Sequence, residues 1–111
     1  MTKKNTKLPE GVTNEMVAEW KEKYGSVKLA ELQNENGEAI MTAVMRIPTR
    51  KTIGEFEKWI EKQPTKAKEI LINGCLLTGK EAITADDVLF SAAFSAAVDL
   101  MPVGKHVLAD L

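Results

Sequence analysis

The residues able to do chemistry are few. Among 111 residues there is one histidine, His106, and one cysteine, Cys75. A single imidazole supplies neither a metal site that needs several nor a base for a paired nucleophile. His106 lies in the short tail "KHVLADL" and reads as a surface residue. Cys75 sits between "ING" and "LL", an apolar setting in which a thiol packs as a small hydrophobe and its pKa rises. The C-terminal end of a helix, where the dipole is negative, disfavours a thiolate further. Asp86 and Asp87 are adjacent, so on a helix they point about 100° apart and cannot share an ion. They read instead as an acidic first turn, with Thr84 and Asp87 forming the capping pair. The segment "NENGE" offers oxygen ligands without the alternation and terminal glutamate of a calcium loop, and reads as a hairpin turn. No glycine-rich phosphate loop, nucleophile elbow or zinc spacing occurs. The expectation is a protein that is not an enzyme and takes no metal and no cofactor.

Charge narrows the partners. The formal net charge is -1 with a pI near 5.9, which gives no general attraction to nucleic acid or anionic lipid. From Arg46 to Lys68 seven basic residues stand against three acidic, a local net of +4. Glu55 to Lys58 and Lys58 to Glu61 are opposite charges at three-residue spacing, whereas Glu57 to Glu61 and Lys58 to Lys62 are like charges at four. Such a mixture describes a solvated helix face, and no nucleic-acid partner is expected. From Cys75 onward the sign reverses, with Lys80 and Lys105 against Glu81, Asp86, Asp87, Asp99 and Asp110. The apolar run from Val88 to Val98 stops at Asp99, well short of the roughly 20 residues a membrane span needs, so no membrane partner is expected. The lone cysteine, and a basic start with no apolar stretch behind it, point to a reducing cytoplasmic setting.

These residues have to be carried by elements, and the pattern of the chain predicts which. Residues 1–12 read as a flexible polar arm, 13–104 as a single domain and 105–111 as a short tail. Thr13 or Asn14 caps a helix that turns Met16, Val17, Trp20 and Tyr24 to one side and ends at Gly25. Strands follow at about Val27 to Gln33 and Ala39 to Ile47, joined by a type I′ turn centred on Asn36-Gly37. That turn sets Leu29 opposite Val44 and Gln33 opposite Ile40 on one face, with Leu32 opposite Met41 and Ala30 opposite Ala43 on the other. Both faces are half apolar, so both call for cover.

After Pro48, "TIGEFEKWIEKQ" predicts a helix capped by Thr52 with Glu55, burying Ile53, Phe56, Trp59 and Ile60. Pro64 opens a further helix that buries Ala67, Ile70 and Leu71 and ends at Gly74. "TGKEAIT" reads as a loop. The last helix, about Ala85 to Met101, has the narrow polar stripe Asp87, Ser91, Ser95 and Asp99, so it reads as a hub buried nearly all round. Phe90, Phe94 and Val98 are its large knobs, covered by the hairpin and the Trp59 helix. Ala92, Ala93, Ala96 and Ala97 leave the opposite flank low enough for close approach, and they are the candidate contact for a partner helix or a second copy. The fold class is α+β: a small antiparallel β-hairpin packed with four helices, the long C-terminal helix central.

Lys23-Tyr24-Gly25, a hairpin, Arg46-x-Pro48, Lys66-Ala67-x-x-Ile70-Leu71, Asn73-x-Cys75-x-Leu77 and an acidic-capped, alanine-rich final helix follow one another in this order. In that order, over about Met16 to Val98, the chain resembles small phage or prophage proteins of the tail assembly chaperone type. The resemblance implies a non-enzymatic protein that keeps a tape-measure protein soluble while tail tube subunits polymerise round it. It thus implies a protein client of tape-measure or tail tube type, or self-association, in the host cytoplasm. The second reading is a homo-oligomeric structural or regulatory adaptor of a bacterial host.

Overall fold

The computed structural model describes residues 8–102, 104 and 106–111. Residues 1–7 of the expected arm, and Lys105 of the tail, lie outside the described residues. Element order is α1 (Asn14–Tyr24), β1 (Val27–Gln33), β2 (Ala39–Arg46), α2 (Arg50–Trp59), α3 (Pro64–Cys75), α4 (Lys80–Thr84) and α5 (Asp87–Leu100). The architecture is α+β, an antiparallel hairpin with, among the described residues, five helices where four were expected.

α1 follows the sequence closely. The Thr13 hydroxyl accepts from the Met16 N–H at 3.1 Å, and Gly25 closes the helix at φ +83°. In the hairpin, Leu29 pairs with Val44, Ala30 with Ala43 and Leu32 with Met41, as the pattern requires. The turn differs from the expectation. Gly37 N–H donates to the Asn34 carbonyl at 3.0 Å, Gly37 has φ +81°, and among the described residues no non-glycine residue has positive φ. Glu35 and Asn36 are therefore the centre of a type I turn, with Gly37 taking the left-handed position after it. Asn34 decides the matter, because its side-chain oxygen accepts from the N–H groups of Asn36 and Glu38 at 2.9 and 3.0 Å. The consequence is a shift in register at the tip. Gln33 pairs with Ala39, and Ile40 is left as an extra residue, 46% exposed.

Both faces of the hairpin are covered. Leu32, Ala43 and Met45 pack with Leu71, Ile72, Cys75, Ile83, Ala93 and Ala97 in one core. Val44 and Leu29, on the other face, border a groove shared with Val17 of α1. The outer edge of β2 is clasped by the chain as it leaves α3. Leu77 N–H donates to the Val44 carbonyl at 2.9 Å, and Val44 N–H donates to Thr78 Oγ1 at 3.0 Å.

The helical half departs from the sequence reading at its ends. Thr49, not Thr52, caps α2, its hydroxyl accepting from the Thr52 N–H at 3.1 Å. Pro64 does open α3, but the helix runs through Gly74 to Cys75, burying Ala67, Leu71, Ile72 and Cys75 while Ile70 is half-buried. Gly74 is a contact point rather than a terminator, since a Cβ there would lie 2.4 Å from Thr52 Cγ2. "TGKEAIT" is not a plain loop: Gly79 at φ +73° lets Lys80–Thr84 turn into α4, which sinks Ile83 into the core. Asp86 is the cap of α5, its carboxylate accepting from the Leu89 N–H at 2.9 Å. Thr84 instead donates its hydroxyl to the Lys80 carbonyl at 2.8 Å. Nor is α5 buried all round. Ala93 and Ala97 are fully buried and Leu89, Phe90, Phe94 and Leu100 half-buried, while Val88, Ser91, Ser95, Val98 and Asp99 are exposed. α5 packs on the sheet, α3 and α4, with Phe56 of α2 against Phe94.

Candidate functional site

The chemically able residues stay apart. Cys75 ends α3 in the core, fully buried, and burial pushes its thiol up to about 11, with the Arg46 cation opposing part of that rise. His106 is exposed beyond α5. Asp86 is engaged as a helix cap, and Asp87 follows it in the first turn. Among the described residues no three His, Cys, Asp or Glu side chains come together as metal ligands. No helix there is long and apolar enough to cross a membrane.

The basic segment rests on rings. Lys66 Nζ lies 3.7 Å from the centre of the Trp59 ring and Lys58 Nζ 5.9 Å from it, while Lys68 Nζ is 5.3 Å from the Phe94 ring. The Arg46 guanidinium lies 4.1 Å over Tyr24, and its buried Nε takes no hydrogen bond. These cations shield aromatic faces with their aliphatic stems, which describes packing at the edge of a small core. Phe94 meets Phe56 with ring centres 6.0 Å apart, tilted by 49°, so the Trp59 helix does reach the large side of α5.

The expected partner surface divides. Ala93 and Ala97 are fully buried in the chain's own core and cannot receive a partner. They sit where α5 presses on the hairpin and α3, because their small side chains permit the closest approach to its own fold. Ala92 and Ala96 are half-buried at the border. What remains open is the adjoining outward stripe of Val88, Ser91, Ser95 and Val98, with Val88 39% and Val98 38% exposed. A groove of about 400 Å³ runs beside its first turns, with Gln33, Asn34 and Glu35 of the hairpin tip on one wall and Asp87, Val88, Ser91, Ala92 and Ser95 on the other. The floor is made of small side chains and the rim carries the acids Glu35 and Asp87. Such a surface can take a helix by close backbone approach. The hairpin wall could not be foreseen, because it depends on how the tip folds over α5. The larger cavity, about 470 Å³, is bounded by the single segment Leu76 to Ala82 around α4 and brings together no residues from distant elements.

No family model matches the chain, and no curated protein matches it. A solved structure of an uncharacterised protein from Bacillus stearothermophilus is similar to it at 21% sequence identity and a TM-score of 0.56. The match covers 86% of this chain and 98% of that one, so the fold is shared along nearly the whole of the other protein.

Proposed function

We propose that this protein is a non-enzymatic binding module that holds a helical or apolar segment of another protein along the outward stripe of α5, in the manner of a phage or prophage tail assembly chaperone. The observation that carries the proposal is the open stripe itself. Val88, Ser91, Ser95 and Val98 face solvent beside a groove walled by the hairpin tip, although the helix bearing them is mostly apolar. A client helix laid there would cover Val88 and Val98 and gain their burial. The order of motifs from Lys23 to the final helix adds support, since it resembles the tail assembly chaperone type, whose client is a tape-measure protein. On this reading the protein works in the host cytoplasm before the tail is complete.

The experiment is co-expression with the tape-measure protein encoded nearest its own gene. The protein should keep that client soluble and co-purify with it, and Val88→Glu combined with Ser95→Glu should abolish both effects without lowering the melting temperature. Unchanged client binding by that double variant would sink the proposal, as would a gene neighbourhood with no tape-measure or other tail protein.

A further inference from the structure

Beyond α5 the chain carries a second unpartnered surface. Residues 106–111 have no regular secondary structure, and they leave Val107 93% and Leu108 85% exposed, with Leu111 wholly so. Three large apolar side chains among six residues, all standing in water, form a segment that burial would stabilise. The body of the molecule has a matching socket on the other side of the sheet. Between α1 and the hairpin lies a cavity of about 150 Å³ lined by Leu8, Val17, Val27, Leu29 and Val44, with Lys21 and Lys28 beside it. A space of about that size takes a single benzene-sized apolar group, which a leucine side chain approximates. The charges also match, because Asp110 precedes Leu111 whereas both lysines at the socket are basic and exposed.

We infer that the tail of one copy docks in the α1–β1 groove of a second copy, Leu111 filling the socket and Asp110 meeting Lys21 and Lys28. Within one chain the tail and the groove belong to opposite sides of the sheet. α5, from which the tail departs, packs on the Leu32 and Met45 face of the hairpin, while the groove opens on the Leu29 and Val44 face under α1. In the structure the tail stands clear of its own groove. Tail and groove are different surfaces, so two copies can exchange tails reciprocally, or the contact can run head-to-tail into a ring or an open chain. It uses no residue of the α5 stripe, so its failure and that of the client-binding proposal are separable.

Sedimentation of the full chain over a concentration series tests this. Wild-type protein should self-associate, and Leu111→Asp should weaken the association constant roughly ten- to a hundredfold. Asp110→Lys should weaken it too, and Lys21→Glu with Lys28→Glu in the same chain should restore it. The decisive arm mixes two variants, Leu111→Asp with its groove intact and Val17→Asp with its tail intact. Each should be monomeric alone, and the mixture should stop at a dimer, because only one productive contact exists. Circular dichroism confirms that each variant is folded. If Val17→Asp fails that check, Lys21→Glu with Lys28→Glu takes its place in the mixture. A wild type that stays monomeric at the highest attainable concentration would overturn the inference. So would a Leu111→Asp variant that associates as the wild type does, or folded variants whose mixture shows no dimer.

Discussion

Replacing Gly74 by alanine sets two effects of opposite sign against each other. Gly74 lies inside α3, and alanine is favoured over glycine in a helix interior by about 0.8–1.0 kcal/mol. Propensity alone therefore predicts a more stable protein. The structure predicts the reverse. A Cβ at position 74 would fall 2.4 Å from Thr52 Cγ2, 3.0 Å from its Oγ1 and 3.2 Å from its Cβ. Rotating the threonine would relieve the first two contacts and leave the third. It would also pull Oγ1 from the Thr49 hydroxyl, 3.1 Å away, which caps the same helix. Overpacking of this kind costs about 1–3 kcal/mol, and after subtracting the propensity gain Gly74→Ala should destabilise by up to about 2 kcal/mol. For a domain near 100 residues the upper end of that range lowers the melting temperature by roughly 10 °C. Urea and thermal unfolding read it directly. In a double-mutant cycle, Thr52→Ala should recover part of the loss, because Cγ2 and Oγ1 are removed while the Cβ remains. A Gly74→Ala protein more stable than wild type by about 1 kcal/mol would refute the close approach of α2 and α3.

Cys75 should resist thiol reagents in the native state and react on unfolding, and rapid native labelling would contradict its burial. Because its thiol is raised to about 11 in the fold, the unfolded chain loses the proton first as pH climbs. Stability should be intact below pH 9 and fall between about 9 and 11, by roughly 2–3 kcal/mol, and Cys75→Ala should remove that part of the alkaline decline in denaturant titrations. Asp86→Ala should cost about 1 kcal/mol through loss of the α5 cap, while Asp87→Ala should cost little, and equal losses at the two positions by thermal unfolding would count against the capping assignment.

Local signals were legible wherever one residue type satisfied one backbone requirement. Thr13 and Gly25 bound α1, Pro64 opens α3, and the alternation around Leu29, Leu32, Met41 and Val44 sets the central register. Errors arose where two residues could serve the same end. Thr49 and Thr52 both precede the Phe56 helix, and Asp86 and Thr84 both precede α5, so composition alone could not rank them. At the hairpin tip Asn36-Gly37 carries the stronger dipeptide signal, yet the Asn34 side chain holds three of the turn's polar atoms and moves its centre one residue back. Gly74 and the alanines of α5 misled for a common reason. A small residue marks a close approach without saying what approaches, and here Thr52 and the chain's own core do so. The candidate groove needed a nonlocal fact, the hairpin tip lying beside Val88 and Ser91, which no spacing along the chain encodes.

The clasp at Val44 bears on the order of folding. A two-stranded hairpin is marginal alone in water, although its short turn closes within microseconds. The chain leaves the sheet at Arg46, makes the α2–α3 excursion, and returns to bond Val44 through Leu77 and Thr78. Closing that larger loop costs only about 2 kcal/mol more than closing the hairpin, since each doubling of loop length adds about 0.6 kcal/mol. Once it closes, Leu71, Ile72 and Cys75 of α3 join Met45 in the core. Val44 thus joins the local pairing of the hairpin to the segment that returns from α3.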